Sequence, residues 1–254
     1  MPKLSAAVLI LLVATAAHGE WKTISIQIEP SGARGLEHRY AVAEDSTTGA
    51  RASLELAIFS SKSCTLRVID QPDEPRFDLS QAMRREKCLA GVNGGYFDPD
   101  YRPIGLLIAD AKIVAPLQRA RLLSGILAAL PTKVQILRVS EFSPRMKPSA
   151  AVECGPFLVD LGHYVAGLET TRSARRTFAA VERGDRAALG FCSEVSLADL
   201  SRILAGGLGD FKVQRALNLD GGSSSAFWFK RKDGSAFSIS EQKSVRDFVG
   251  VVPK

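Results

Sequence analysis

Eight short apolar runs punctuated by turn residues constrain this chain more than any other feature of its sequence. Leu54 to Ser60, Cys64 to Ile69, Leu89 to Asn93, Gly105 to Ala109, Lys133 to Val139, Ala151 to Val159, Thr177 to Val181 and Ala187 to Cys192 follow one another closely. That spacing leaves no room for a helix after every strand. Ser60 to Ser63, Ala109-Asp110-Ala111, Arg183-Gly184-Asp185 and Lys232-Asp233-Gly234 fall between apolar runs and are predicted to be hairpin connections. Arg183-Gly184-Asp185 has the letters of an adhesion tripeptide, but its place between two strands makes it a turn. Two helices are predicted. Asp78 caps one that runs to about Lys87, and Ser196 with Asp199 resembles a capping box before Leu197, Leu200, Ile203 and Leu204, stopped by Gly206-Gly207. The expectation is an α+β fold: a single domain built on a large mixed or mostly antiparallel β-sheet with a few packed helices.

The N-terminus sets the compartment. Lys3, the apolar run Leu4 to Val13 and the small residues Ala14-Thr15-Ala16-Ala17 have the form of a secretory signal peptide. The run is shorter than the roughly 20 residues that span a bilayer. Residues 1–17 are therefore assigned as a signal peptide, 18–51 as a lead-in with a strand alternating Ile24, Ile26 and Ile28, and 52–254 as the functional domain. An uncleaved N-terminal anchor would leave the function unchanged. The protein is expected to be secreted or periplasmic, with no stable membrane insertion after cleavage. In an oxidising compartment the four cysteines are expected to form two disulfides, and Cys64 with Cys88 and Cys154 with Cys192 are preferred because each pair lies in its own half. No Cys-x-x-Cys occurs, so neither zinc nor a redox dithiol is indicated.

Charge and histidine content narrow the chemistry. Lys and Arg number 33 against 27 Asp and Glu, which favours an anionic partner. The basic residues are dispersed and no recognition motif accompanies them, which argues against nucleic acid. Only three histidines are present, so catalysis falls to carboxylates. Oligomeric state is left open.

The strongest local motif is Ala216-Leu217-Asn218-Leu219-Asp220-Gly221-Gly222-Ser223-Ser224-Ser225. An apolar strand delivers Asp220 into a turn whose amides can form an anion nest, and whose serines offer hydroxyls to a phosphate or sugar. A tight hairpin turn with solvated serines fits the same letters. A second strand ends at Asn93-Gly94-Gly95-Tyr96-Phe97, where Asn93 can hydrogen-bond a sugar and Tyr96 and Phe97 offer flat faces. Asp98-Pro99-Asp100 suits a divalent cation, but two carboxylates are too few to hold calcium, so no cofactor is assigned. Arg172, Arg175 and Arg176 form a cationic stretch, and guanidinium forks bind phosphate oxygens. For Arg172 and Arg175 a solvated loop is the preferred reading.

Asn93-Gly94-Gly95-Tyr96-Phe97, Pro103-Ile104-Gly105-Leu106, Gly155-Pro156-Phe157-Leu158-Val159, Arg176-Thr177 and Leu219-Asp220-Gly221-Gly222-Ser223-Ser224 occur in the order and spacing of the phosphodiester glycosidase family. From about residue 52 to residue 252 the chain resembles that family, whose bacterial members are often labelled exopolysaccharide-related. The resemblance implies hydrolysis at a sugar carbon bonded to a phosphodiester oxygen. Asp220 and Glu153 are then the candidate catalytic carboxylates, with Asp98 behind Glu153. Asn93, Gly94, Tyr96, Phe97, Arg176, Gly221, Gly222, Ser223 and Ser224 are the candidate substrate-binding residues. Ser223 replaces a third glycine, Glu153 a frequent glutamine, and Phe178 follows Arg176-Thr177 where the family has a small residue. The implied partner is a sugar phosphodiester or phosphoglycan, and the rival class is a non-catalytic glycan-binding module. A serine hydrolase using Ser224 lacks the Gly-x-Ser-x-Gly elbow and has only His38 or His163 as a base.

Overall fold

The computed structural model describes residues 20–254, so the assigned signal peptide lies outside the described residues. The chain order is β1 (Trp21–Pro30), β2 (Leu36–Asp45), β3 (Arg51–Ser60), β4 (Cys64–Asp70), α1 (Leu79–Arg85), β5 (Ala90–Asn93), β6 (Leu107–Ala109), β7 (Lys112–Ala115), β8 (Gly125–Ala129) and β9 (Val134–Arg138). It continues with β10 (Ala150–Cys154), β11 (Phe157–Asp160), β12 (His163–Tyr164), β13 (Ala174–Val181), β14 (Arg186–Val195), α2 (Leu197–Gly206), β15 (Arg215–Asn218), β16 (Phe227–Lys230), β17 (Ala236–Ile239) and β18 (Asp247–Pro253). The strands form three sheets: β1-β2-β3-β14-β13-β15-β11-β12, β7-β6-β10-β8-β9 and β17-β16-β5-β18-β4. Their pairings are antiparallel; β2 pairs with β3 in continuous register, and with β1 across a register shift between Thr23 and Ser25.

The antiparallel expectation therefore holds, while the α+β assignment needs correcting. The strands divide among three sheets rather than one, and among the described residues only two α-helices pack on them. Both helices start at the predicted caps. Asp78 accepts from Gln81 N and Gln81 reciprocates, and Ser196 accepts from Asp199 N. α1 stops at Arg85 rather than Lys87, and Gly207 closes α2 at φ +86°. The predicted run Ala151 to Val159 is two strands in different sheets, divided at the cis Gly155–Pro156 bond.

Alternation along the strands explains the layers. Odd-numbered β14 residues Ala187, Leu189 and Phe191 join Phe59, Val68, Val92, Leu127, Val152 and Phe227 in a central core drawn from all three sheets. Their neighbours Ala188 and Cys192 face the other way, into a second cluster with Leu200, Ile203 and Leu204 of α2. A third cluster puts Leu79, Ala82 and Met83 of α1 against Trp228 and Phe248.

This layering corrects the disulfide expectation. Cys64 lies in the central core and Cys88 beneath α1; Cys154 lies in the central core and Cys192 beneath α2. Each preferred pair points away across a sheet, and all four thiols are free and buried. Burial pushes Cys88 and Cys192 up to about 12 and raises Cys154 too, so the reactive thiolate is negligible near pH 7. The melting temperature is expected to be the same with and without reductant, with thiol reagents reacting only after unfolding. A reductant-dependent loss of stability would contradict this arrangement.

Candidate functional site

Asp220 leaves β15 in a main chain held on both sides. Leu219 is buried and its N–H donates to Thr177 O at 2.9 Å, which keeps the segment extended. Asp220 N–H donates to Gly94 O at 3.1 Å, and Asn93 Nδ2 donates to Asp220 O at 2.7 Å. The Asn93 carboxamide is fixed in turn, because its Oδ1 accepts from Thr177 Oγ1 at 2.7 Å and Ala226 N at 3.0 Å. Beyond Asp220 the chain enters a 3-10 turn, Gly222–Ser224, with Gly222 at φ +64° in the left-handed region that glycine adopts without cost.

The Asp220 carboxylate receives Gly221 N–H at 3.0 Å. Burial raises its pKa above the ordinary value, opposed by the Ser224 hydroxyl, Lys243 and the Gly221 amide. Ser224 exerts this influence from nearby without completing a hydrogen bond, since its buried Oγ has no partner among the described residues. Tyr96 donates its O–H to Gly155 O at 2.5 Å and accepts from Asn218 Nδ2 at 3.0 Å. Burial raises the Tyr96 pKa, so the phenol is neutral.

Arg176 sits where the β13 register shifts, between Ala174 and Arg176. Its Nε donates to Val195 O at 2.9 Å, its Nη2 to Arg172 O at 2.6 Å, and Glu169 stands 3.6 Å away. Nη1 has no hydrogen-bond partner among the described residues. A cavity of about 610 Å³ joins these groups. Tyr96, Asn218, Asp220, Gly221 and Gly222 line it together with Arg176, and Arg121, Leu122, Leu168, Glu169, Arg172 and Leu197 flank them. Arg121 and Arg172 are exposed, and neither guanidinium has a hydrogen-bond or ion-pair partner among the described residues. The result is an acid on a glycine turn facing three guanidiniums, which suits an anionic substrate.

The predicted residues divide in their placement. Asp220, Arg176, Tyr96, Gly221 and Gly222 line the cavity. Asn93 and Gly94 lie behind Asp220, holding its main chain. Glu153 does not line the cavity: it is buried, and its Oε2 accepts from Leu106 N at 2.7 Å and Gln118 N at 3.0 Å. Phe97 stacks on Tyr101 at 5.2 Å beneath Lys243, away from the cavity lining. Ser223 is exposed and its carbonyl accepts from Gln242 N, while Ser224 is buried beside Asp220. Asp98 is engaged by Arg102 and by the amides of Asp100 and Arg102. Arg175 is bound to the Ser225 and Ser240 carbonyls. Phe178, bulky for its position, is fully buried and packs over Gly190, where a Cβ would meet its ring at 2.2 Å. His38 is buried against Glu55 at 2.7 Å and His163 lies exposed on β12, so neither can serve Ser224 as a base.

Arg121 on the rim and Asp247 escaped the sequence reading; Arg172, read there as a solvated loop residue, also lies on the rim, and Asn218, named in its motif without a role, stands beside Tyr96. Asp247 is fully buried, accepts Gly95 N–H at 3.1 Å, and has Oδ2 without a partner among the described residues. Burial, with the negative charges of Asp70 and Asp220, pushes its pKa up to about 7.

A model of the phosphodiester glycosidase family matches residues 86–252. The fold is similar to that of the zebrafish N-acetylglucosamine-1-phosphodiester alpha-N-acetylglucosaminidase catalytic domain auto-inhibited by its pro-peptide. That likeness has a TM-score of 0.64 at 15% identity and covers 93% of this chain and 84% of that one. A hypothetical protein from Synechocystis aligns with a TM-score of 0.61 at 15% identity, over 87% of this chain and 62% of that one. No protein of curated function matches the sequence.

Proposed function

This chain belongs to the phosphodiester glycosidase family, and from that premise we propose that it is an exported hydrolase cleaving the bond between a sugar's anomeric carbon and a phosphodiester oxygen. The observation that carries this reading is the single cavity that gathers Asp220, Arg176 and the Gly221-Gly222 turn. Arg176, with Arg172 and Arg121 on the rim, takes the phosphate oxygens, and Arg176 offers Nη1 while its other donors hold it in place. Tyr96 and Asn218 meet the sugar face. Asp220 draws a proton from water as the water oxygen bonds to the anomeric carbon, and the bonding pair of the C–O bond leaves with the oxygen of the phosphomonoester anion. That anion is a weak base and departs without protonation, so the two carboxylates usual in glycoside cleavage reduce here to one. Glu153 serves in this reading as a lock on the Leu106 and Gln118 amides.

Asp220 must be ionised to act as a base. Because its pKa is raised, activity is expected to fall on acidification at a higher pH than an ordinary aspartate would give. Incubation with sugar-1-phosphodiesters and detection of free reducing sugar tests the proposal. Saturable binding of these compounds with no sugar released on prolonged incubation would instead mark a glycan-binding module.

A further inference from the structure

Asp247 opens β18 at the inner side of the Asn93–Gly95 segment. Gly94 N–H donates to Asp247 O at 2.9 Å and Gly95 N–H to its Oδ1 at 3.1 Å. A Cβ on Gly94 would fall 1.8 Å from Oδ1 and 2.8 Å from the carboxyl carbon, so the carboxyl occupies the volume that a side chain at 94 would need. The same segment supplies Gly94 O to Asp220 N and Asn93 Nδ2 to Asp220 O. We propose that Asp247 is a positioning residue for Asp220: its carboxyl, seated in the notch beside Gly94, clamps the segment that holds both main-chain groups of Asp220. The inference rests on the catalytic role assigned to Asp220 above.

The clamp works in its neutral form. A buried charge is costly, and the groups around Asp247 are mixed: Arg246, the residue just before β18, favours ionisation, while Asp70 on β4 and Asp220 oppose it, with Cys154 close by. Arg246 is itself paired with Asp70 at 2.6 and 3.0 Å, which leaves Asp247 little benefit from it. Asp247 therefore keeps its proton under acidic conditions and releases it as the pH passes about 7. Release sets a second negative charge behind Asp220, and although the ionised carboxyl accepts Gly95 N–H more strongly, repulsion between the two carboxylates displaces Asp220.

The test uses the full chain with Asp247→Ala and Asp247→Asn. Asp247→Ala is expected to lower kcat by about 10²-fold with little change in KM, the size of effect that a small misplacement of a reacting group produces. Asp247→Asn keeps an acceptor for Gly95 N–H and cannot ionise, so it is expected to restore most of that loss and to remove the alkaline decline expected of the wild type above pH 7. Carboxyl ¹³C NMR supplies a readout that needs no turnover. The Asp220 resonance moves in Asp247→Ala and returns in Asp247→Asn, and the Asp247 midpoint falls in Asp220→Asn. An unaltered alkaline limb in Asp247→Asn, or an unmoved Asp220 resonance in Asp247→Ala, overturns the proposal. If the wild type releases no sugar from any donor, the hydrolase reading fails, while the NMR arm still decides whether Asp247 positions Asp220. Should Asp247→Ala not fold, Asp247→Asn and the Asp247 midpoint in Asp220→Asn decide it.

Discussion

Replacing Asp220 by Asn is expected to cut sugar release from a sugar-1-phosphodiester by about 10³-fold while leaving the fold intact, the size of effect that follows loss of a positioned base. The substitution is nearly isosteric. Asn keeps an oxygen for Gly221 N–H, and both main-chain bonds to Asn93 and Gly94 are independent of the side chain. Stability should move the other way from activity. Burial raises the folded-state pKa of Asp220 above its unfolded value, so the native state binds the proton more tightly than the unfolded chain. The ionised carboxylate then weighs against the fold increasingly as pH rises from the unfolded pKa through the folded one, and fully above it. Asp220→Asn removes that burden, and its melting temperature at pH 7 should equal or exceed the wild-type value, with the difference vanishing below the unfolded pKa. Initial rates and thermal melts on the same preparations check both halves. Turnover within tenfold of wild type would remove Asp220 from the mechanism.

Much of the fold was legible because it is locally encoded. Short apolar runs bounded by turn residues mark β3, β4, β13 and β14, and the caps at Asp78 and Ser196 mark both helices. The division into three sheets is not local. Val152 and Phe157 belong to one apolar run, yet they pair with Leu127 in one sheet and Leu217 in another, a choice made by long-range partners. Cysteine pairing failed for a related reason: being in the same half of the sequence says nothing about which face of a sheet a residue takes. At the site, Asp220, Arg176 and Tyr96 were legible through their motifs. Asn93 was legible as a position, but its carboxamide is consumed by Asp220, Thr177 and Ala226 inside the protein. Arg172 looked like solvated loop because only the fold turns that loop toward the cavity. Asp247 left no local pattern, being one acidic residue at the start of an apolar strand, and its significance depends on Gly94 lying against it.

Arg176 carries the second large effect. Its guanidinium spans two fixed carbonyls, Val195 O through Nε and Arg172 O through Nη2, and the planar fork then presents Nη1. Lysine cannot reproduce this, because one ammonium cannot reach both carbonyls and still direct a donor at a phosphate. Arg176→Lys and Arg176→Ala are both expected to lower kcat/KM by about 10² to 10³-fold on a phosphodiester substrate, the penalty for losing one member of a desolvated charge pair. Stability should fall as well, since Glu169 loses its partner at 3.6 Å, and the buried Val195 carbonyl and the part-buried Arg172 carbonyl lose their donors. The decisive control is the leaving group. An aryl glycoside of the same sugar carries no phosphate for Arg176 to meet, so wild type and Arg176→Lys should cleave it at similar rates once both are shown to be folded. An equal loss on both substrates would mean that Arg176 supports the cavity wall and that the phosphate is read elsewhere, with Arg121 and Arg172 as the remaining guanidiniums on the rim.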